Sequence, residues 1–419
     1  MYTKINSFLC CLFTLYILIN PIAINGQNHE IYKESIASLQ VVAGNDWLSP
    51  PIIMLEGEPI HIDFDDLTHE YHRYTYTIEH CEANWKPSKE LFASDYIDGF
   101  SEGNTIENMQ KSINTKVQYT HYSLQIPNAQ CQLKMSGNYR LTVYDENNDN
   151  EKILTACFMV VEPLATINMN VMVNTDVDIR NKHQQVNLEV GYNHLKVSNP
   201  REQLKMVVMQ NGQWDVNRYN IQPQYTMPHG LRWEHNRAFI FQAGNEYRKF
   251  EILDITHPTL GVEHISWDGN NFHAYLWADH PRQSYVYDKD ANGAFYIRNS
   301  DNMENNTICE YQIVHFLLFA PQQIGDVYID GVWTNHTLLP SYKLTYNPKN
   351  QCYEGAVMLK QGYYSYKYVV VNNKHIVGLV STEGCFYQTE NTYQALLYFR
   401  GTGERTDRLV GYQQISYPQ

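Results

Sequence analysis

This sequence predicts an all-β chain of tandem, Ig-like β-sandwich domains with few helices, and three observations predict it. Tyrosine is unusually frequent, 33 of 419 residues, and its ring suits a pleated, half-buried surface while its hydroxyl stays hydrated or bonded. Short apolar runs alternate with polar residues at a period of two and are separated by Asn-Gly, Asp-Gly and Gln-Gly turn signals. No segment carries a helical period for more than three turns.

The chain begins with an address. Lys4 precedes a nearly unbroken apolar stretch over 8–19, Pro21 ends it, and Ile24-Asn25-Gly26 finishes on a small residue. That three-part order reads as a secretory signal peptide over 1–26. The stretch is shorter than the roughly 20 residues a spanning helix needs. Cys10 and Cys11 lie inside it without small residues before them, which speaks against a lipid anchor. Lys and Arg total 31 and Asp and Glu 45. Removing the leader takes one Lys and no acid, so the mature chain carries 30 − 45 = −15. A nucleic-acid binder needs a basic face, and so does a protein held electrostatically on a membrane.

The first block is expected over 27–162. Tyr74, Tyr76 and Ile78 alternate with Arg73, Thr75 and Thr77, and Tyr122, Leu124 and Ile126 repeat the pattern up to Pro127-Asn128. Tyr139, Leu141 and Val143 follow the Ser136-Gly137-Asn138 turn. The polar segment 145–151 joins them to the apolar run 153–161 as a hairpin. Glu162-Pro163-Leu164 marks a boundary, because Pro does not continue a strand. The second block, 163–307, offers strands near 186–190, 204–209, 238–241, 250–255 and 272–277, and closes on the polar stretch 301–306, a linker or tip loop. The third, 308–419, offers 311–319, 327–329, 357–359, 363–371 and 395–399. An outer-membrane β-barrel shares the aromatic richness and the alternation, but its strands run about 9–11 residues with an unbroken apolar outer face. Many of these are shorter.

The phosphate-cradling glycine motifs, the G-x-S-x-G elbow and H-E-x-x-H are absent from the sequence. In His69-Glu70-Tyr71-His72 the two histidines stand three apart, and they read as exposed or capping residues. Asp288-Lys289-Asp290-Ala291-Asn292-Gly293 matches the first half of a calcium-binding loop, but the twelfth position is Asn299 where a bidentate Glu is needed. A hairpin turn between strands at 284–287 and 294–298 is the better reading. Trp267, Phe272, Tyr275 and Trp277 could form a stacking platform, though such alternating aromatics more often serve core and cross-strand packing. Six cysteines follow the leader (Cys81, Cys131, Cys157, Cys309, Cys352 and Cys385), with no C-x-x-C pair. Cys131–Cys157 and Cys352–Cys385 are candidate bridges, and buried thiols are an equal reading. No catalytic, cofactor-binding or metal-binding residue is assigned, and the partner-binding residues are left unassigned.

Two resemblances add to this. Gly325-Asp326-Val327-Tyr328-Ile329-Asp330-Gly331-Val332-Trp333-Thr334-Asn335 and the hairpin around Gly362 resemble early-set Ig-like domains that include glycogen-binding modules. His336 stands where sugar-binding members often carry Trp. A broader series resembles the plug protein family of the Bacteroidetes type IX secretion system. It runs through Tyr76-Thr77-Ile78-Glu79-His80-Cys81-Glu82-Ala83-Asn84-Trp85, Ser94-Asp95-Tyr96-Ile97-Asp98-Gly99-Phe100, Ser112-Ile113-Asn114-Thr115 and Tyr119-Thr120-His121-Tyr122. It continues with Ala243-Gly244-Asn245-Glu246-Tyr247-Arg248-Lys249-Phe250-Glu251, Glu383-Gly384, Gln388-Thr389-Glu390-Asn391-Thr392-Tyr393 and Tyr398-Phe399-Arg400. That resemblance implies a periplasmic, non-enzymatic subunit without cofactor. Its partner would be the outer-membrane translocon β-barrel, whose periplasmic mouth it would close when no substrate is in transit. The alternative expectation is an exported glycan-binding β-sandwich protein, with Trp333 as the residue to test.

Overall fold

The computed structural model describes residues 28–373 and 376–418; the leader assigned to 1–26 lies outside them. The described chain is mostly β, with several antiparallel sheets and three four-residue helices, Ala93–Tyr96, Pro200–Gln203 and Asn305–Ile308.

The first unit is a sandwich. One layer centres on Glu151–Val161, Gly137–Asp145 and Tyr74–Cys81, and the other on Ile36–Ala43, Ile60–Asp66 and Thr120–Ile126. The alternation read in the sequence appears directly: in Tyr74–Cys81 the odd-spaced Tyr74, Tyr76 and Ile78 turn inward. The expected hairpin also forms, Gly137–Asp145 pairing antiparallel with Glu151–Val161. Gly137 has φ +148°, and a Cβ there would stand 2.2 Å from His80 Nε2, so the turn requires glycine.

The second unit packs the sheet of Thr166–Met172, His183–Gly191 and Gly230–Trp233 on a sheet of Leu204–Gln210, Asn391–Phe399 and Arg408–Tyr417. The third is a ten-stranded, near-closed, barrel-like sheet running from Arg248–Ile252 through Gly362–Val371 and Tyr311–Phe319 to Val262–Trp267.

Pairing therefore crosses the boundary expected at Thr307 in both directions. Leu204–Gln210 takes Asn391–Phe399 as its neighbour. Arg248–Ile252 and Phe295–Ile297 pair with Gly362–Val371. The hydrophobic cores follow the same division: one gathers Ile167 through Phe241 with Tyr393 through Val410, another gathers Phe250 through Val380. The spans 163–307 and 308–419 are not separate folding bodies. The chain leaves the second core after Phe241, builds the third, and returns for the last two strands. A polar stretch such as 301–306 looks like a linker in sequence, but here it joins strands of one sheet and leads into the short helix Asn305–Ile308.

Candidate functional site

Buried polar groups bridge the joints between units. Three strands explain how the joints arise. In Glu151–Val161, Leu154, Ala156, Phe158 and Val160 enter the first core, whereas Cys157, Met159 and Val161 face the other way into a separate cluster. Leu204–Gln210 and Asn391–Phe399 divide likewise, sending Val207, Met209, Leu396 and Tyr398 into that cluster. A strand buried on both faces reads as a continuous apolar run. Trp85 and Trp214 close the cluster edge to face, with ring centroids 5.3 Å apart.

Charges border this first joint. Asp407 accepts from Lys205 Nζ at 2.7 Å, Arg400 Nε at 3.0 Å and the Ala83 amide at 3.1 Å. Arg400 also pairs with Glu82, whose carboxylate receives the Asp407 amide at 3.0 Å. Burial would raise the Asp407 carboxyl, but the Lys205 and Arg400 cations outweigh it and hold it low. Beside them His80 bonds Ser88 Oγ at 2.9 Å and the Ser136 carbonyl at 3.2 Å. The carbonyl needs a donor, so the proton sits on Nε2 and Nδ1 accepts from Ser88. Burial pushes the His80 pKa down to about 4.

The second joint ties the first unit to the third. Asp65, 1% exposed, receives Lys360 Nζ, the Tyr311 hydroxyl and His121 Nδ1, each at 2.7 Å. Lys360, equally buried, also reaches the Asn306 carbonyl at 3.0 Å and lies 4.0 Å above the Tyr119 ring. Tyr119 donates to the Cys309 carbonyl at 2.9 Å, and Glu310 receives the Lys116 and Val117 amides at 2.5 and 3.1 Å. Burial alone would raise Asp65; Lys360 and His121 together hold it below the usual carboxylate range.

The third joint links second and third units. Gln213 Nε2 donates to Tyr247 Oη at 3.3 Å, and Gln184 Nε2 donates to the Thr389 carbonyl at 2.9 Å. Beside this joint, within the third unit, Arg248, one of the residues read as a family signature, bridges Glu383 at 3.0 Å and Asp279 at 2.7 Å. Arg282 completes the grip on Glu383. Two sequence strings that lie 135 residues apart thus meet as one ion-paired group.

His72 bonds Asp145 at 2.8 Å and His69 the Tyr119 carbonyl at 3.2 Å, so both serve local structure. Asp290 accepts the Asn292 amide at 2.6 Å and the Tyr247 amide, and Asp288 pairs with Lys249. The strand expected at 284–287 is absent; only a turn at 291–294 precedes Phe295–Ile297. Trp267 faces Phe272 across the strand pair at 4.6 Å, and Tyr275 is sandwiched between His264 and His315 at 4.3 and 4.2 Å. Trp333 is a core residue, bonded through Nε1 to the Ser365 carbonyl at 2.9 Å, and His336 is committed to Asp330 at 2.9 Å. Neither offers a flat ring to a sugar. The six described thiols are free. Among the described residues no cluster of three or more His, Cys, Asp or Glu side chains could hold a metal, and no helix is long and apolar enough to cross a membrane.

The fold is thus a β-rich one of three cores joined by buried ion pairs and hydrogen bonds. The family follows from comparison. Residues 36–162 match the sequence family of the type 9 secretion system plug protein first domain. The chain is also similar to a hypothetical protein from Parabacteroides merdae known from its crystal structure. The two share 38% identity and a TM-score of 0.89, over 93% of this chain and 99% of the other. No curated protein matches. The chain belongs to the type 9 secretion system plug protein family.

Proposed function

We propose that this protein is a periplasmic subunit that docks on the periplasmic opening of the outer-membrane translocon barrel and closes it while no substrate is in transit. Membership of the plug family is the observation that carries this reading. The physical requirement is a body that keeps its shape against a pore wider than a single strand. Close-packed cores resist deformation, and the three joints fix the units to one another by groups that lose their partners if a unit swings. The role needs no cofactor and no catalysis.

Affinity purification of the mature protein from its own envelope in mild detergent should recover a large β-barrel protein. A deletion strain should show a leakier outer membrane. Repeated failure to recover a barrel, together with unchanged permeability, would overturn the reading. The glycan-binding alternative loses its motivating residue, because Trp333 packs in the third core.

A further inference from the structure

Asn108–Lys111 is the outer strand of one layer of the first unit, and Thr120–Ile126 is its single neighbour in the sheet. All four of its side chains are exposed, so the strand overhangs the core, and neither a proline nor a bulge interrupts it. Edge strands are usually blunted by such features. The register gives the direction of its backbone groups. Ser112 and Tyr119 continue the pairing of Lys111 with Thr120, and the Ser112 amide donates to the Tyr119 carbonyl at 2.8 Å. Hydrogen-bonded and non-hydrogen-bonded pairs alternate along an antiparallel ladder. Asn108, Gln110 and Ser112 therefore turn their N–H and C=O groups toward Thr120–Ile126, and Met109, Lys111 and Ile113 turn theirs outward.

One of these outward groups is in use: the Ile113 amide donates to the Thr307 carbonyl at 2.8 Å. Those of Met109 and Lys111 have no backbone partner among the described residues. A groove of about 720 Å³ opens beside this edge, with Gln110, Lys111 and Ile113 on one wall and residues 304–307 on the other. That volume falls within the range of ligand sites, about 300–1,000 Å³. Lys111 and Glu304 line it with exposed charges, and among the described residues neither side chain has a partner. Outward N–H and C=O groups that recur every second residue, about 7 Å apart, match the backbone of another extended chain. On an added antiparallel strand, the residues facing Met109 and Lys111 lie on one side of the sheet beside those two side chains. Lys111 suits a carboxylate there, and Met109, 38% exposed, suits an apolar residue.

We propose that the free edge of Asn108–Lys111 is a strand-addition site for an extended peptide segment of a partner protein, paired antiparallel, with an acidic residue facing Lys111 and an apolar one facing Met109. The site stands apart from the plug reading, since it can be tested on the purified protein alone. Acetyl-Thr-Glu-Thr-Val-Thr-amide is titrated into the mature protein by calorimetry, and amide hydrogen exchange maps where it binds. Binding should saturate, and exchange should slow in 108–113. Methylating the glutamate and valine nitrogens removes the two N–H groups that face the edge. That should weaken binding about 5- to 100-fold, the worth of two hydrogen bonds. Methylating the central threonine removes an N–H that points away from the edge, and affinity should stay within about twofold. Lysine in place of the glutamate should cost about 2- to 5-fold. Lys111→Pro deletes an outward N–H that the ladder to Thr120–Ile126 does not use, a position where an edge tolerates proline, and should abolish binding. Met109→Pro serves if the first variant lowers the melting temperature. Absence of saturation, equal effects of the two kinds of methylation, or binding unchanged in both proline variants would overturn the assignment. So would a concentration-dependent dimer that both variants dissolve, which would give the edge to a second copy of this chain.

Discussion

Replacing Lys360 by Met tests the joint between first and third units most directly. Methionine keeps most of the length of the side chain and its packing over Tyr119, and removes the charge that faces Asp65 at 2.7 Å together with the donor to the Asn306 carbonyl. Asp65 keeps Tyr311 and His121 as donors but loses its buried cation. Removing one partner of a buried pair costs about 3–5 kcal/mol. A ceiling exists, because the carboxyl can take a proton instead: from an unfolded pKa near 3.9, neutralising it at pH 7 costs about 4 kcal/mol. A loss of roughly 3–4 kcal/mol is therefore expected at pH 7. The pH dependence follows from the sign. In the natural protein Asp65 is held low, so its stabilisation is present above the unfolded pKa and fades as pH falls through the folded value. In Lys360→Met the folded pKa lies above the unfolded one, so that chain loses stability as pH rises from about 4. The difference between the two should shrink by up to about 1.4 kcal/mol per pH unit on acidification. Urea unfolding at pH 5, 6 and 7, followed by fluorescence and circular dichroism, measures it. A difference under 1 kcal/mol at pH 7, or one that does not change with pH, would refute the account of Asp65 as a carboxylate held by Lys360.

Further outcomes follow from the same geometry. His80 is neutral and buried with a pKa near 4, so the unfolded chain binds the extra proton between pH 6.5 and 4, and stability falls on acidification across that window. His80→Gln should flatten this limb by up to about 3 kcal/mol between pH 7 and 4, read by urea midpoints; an unchanged slope contradicts it. Trp333→Ala should cost about 3–5 kcal/mol as a core truncation, seen as a lower melting temperature. Glu383→Gln leaves Arg248 and Arg282 facing one another across a neutral amide, and amide hydrogen exchange should quicken in Arg248–Ile252 before the first unit responds. With 45 acidic against 31 basic residues, binding to the isolated barrel should weaken as NaCl rises from about 0.05 to 0.5 M if charge assists docking; salt-independent affinity measured by interferometry counts against a basic docking face.

The alternation in Tyr74–Cys81 and the long strand Tyr311–Phe319 were legible because one face of each strand meets a core and period two survives, and the hairpin about 145–151 because a polar turn divides two apolar runs. The joints were written differently. The run 153–161 reads as the apolar arm of a hairpin and the stretch 204–209 as a strand, and the second covered face was their unread signal. What no local pattern carries is who covers that face, since Leu204–Gln210 waits for Asn391–Phe399 almost two hundred residues later. The boundary at Thr307 failed for that reason: turn residues and polarity mark where the chain bends, not where a core ends. The groove beside Asn108–Lys111 was equally out of reach, because its other wall, 304–307, lies almost two hundred residues further along the chain.

The tyrosine excess acquires a specific meaning from these joints. Tyr311 reaches Asp65, Tyr119 the Cys309 carbonyl and Tyr398 the Asn138 side chain at 2.8 Å. All three rings are fully buried. A phenylalanine at these positions would supply the same apolar area and leave Asp65, the Cys309 carbonyl or Asn138 short of a donor. Tyrosine fills a core and fixes a direction at once, because its hydroxyl finds a partner in only one arrangement of the neighbouring unit. Buried ion pairs such as Asp65–Lys360 add little net stability over apolar replacements of equal volume. Their use here is consistent with a demand for one relative placement of the units more than for tight association. A body that stops a pore, as proposed for this protein, is judged by its outline, and an outline built from three units is only as constant as the angles between them.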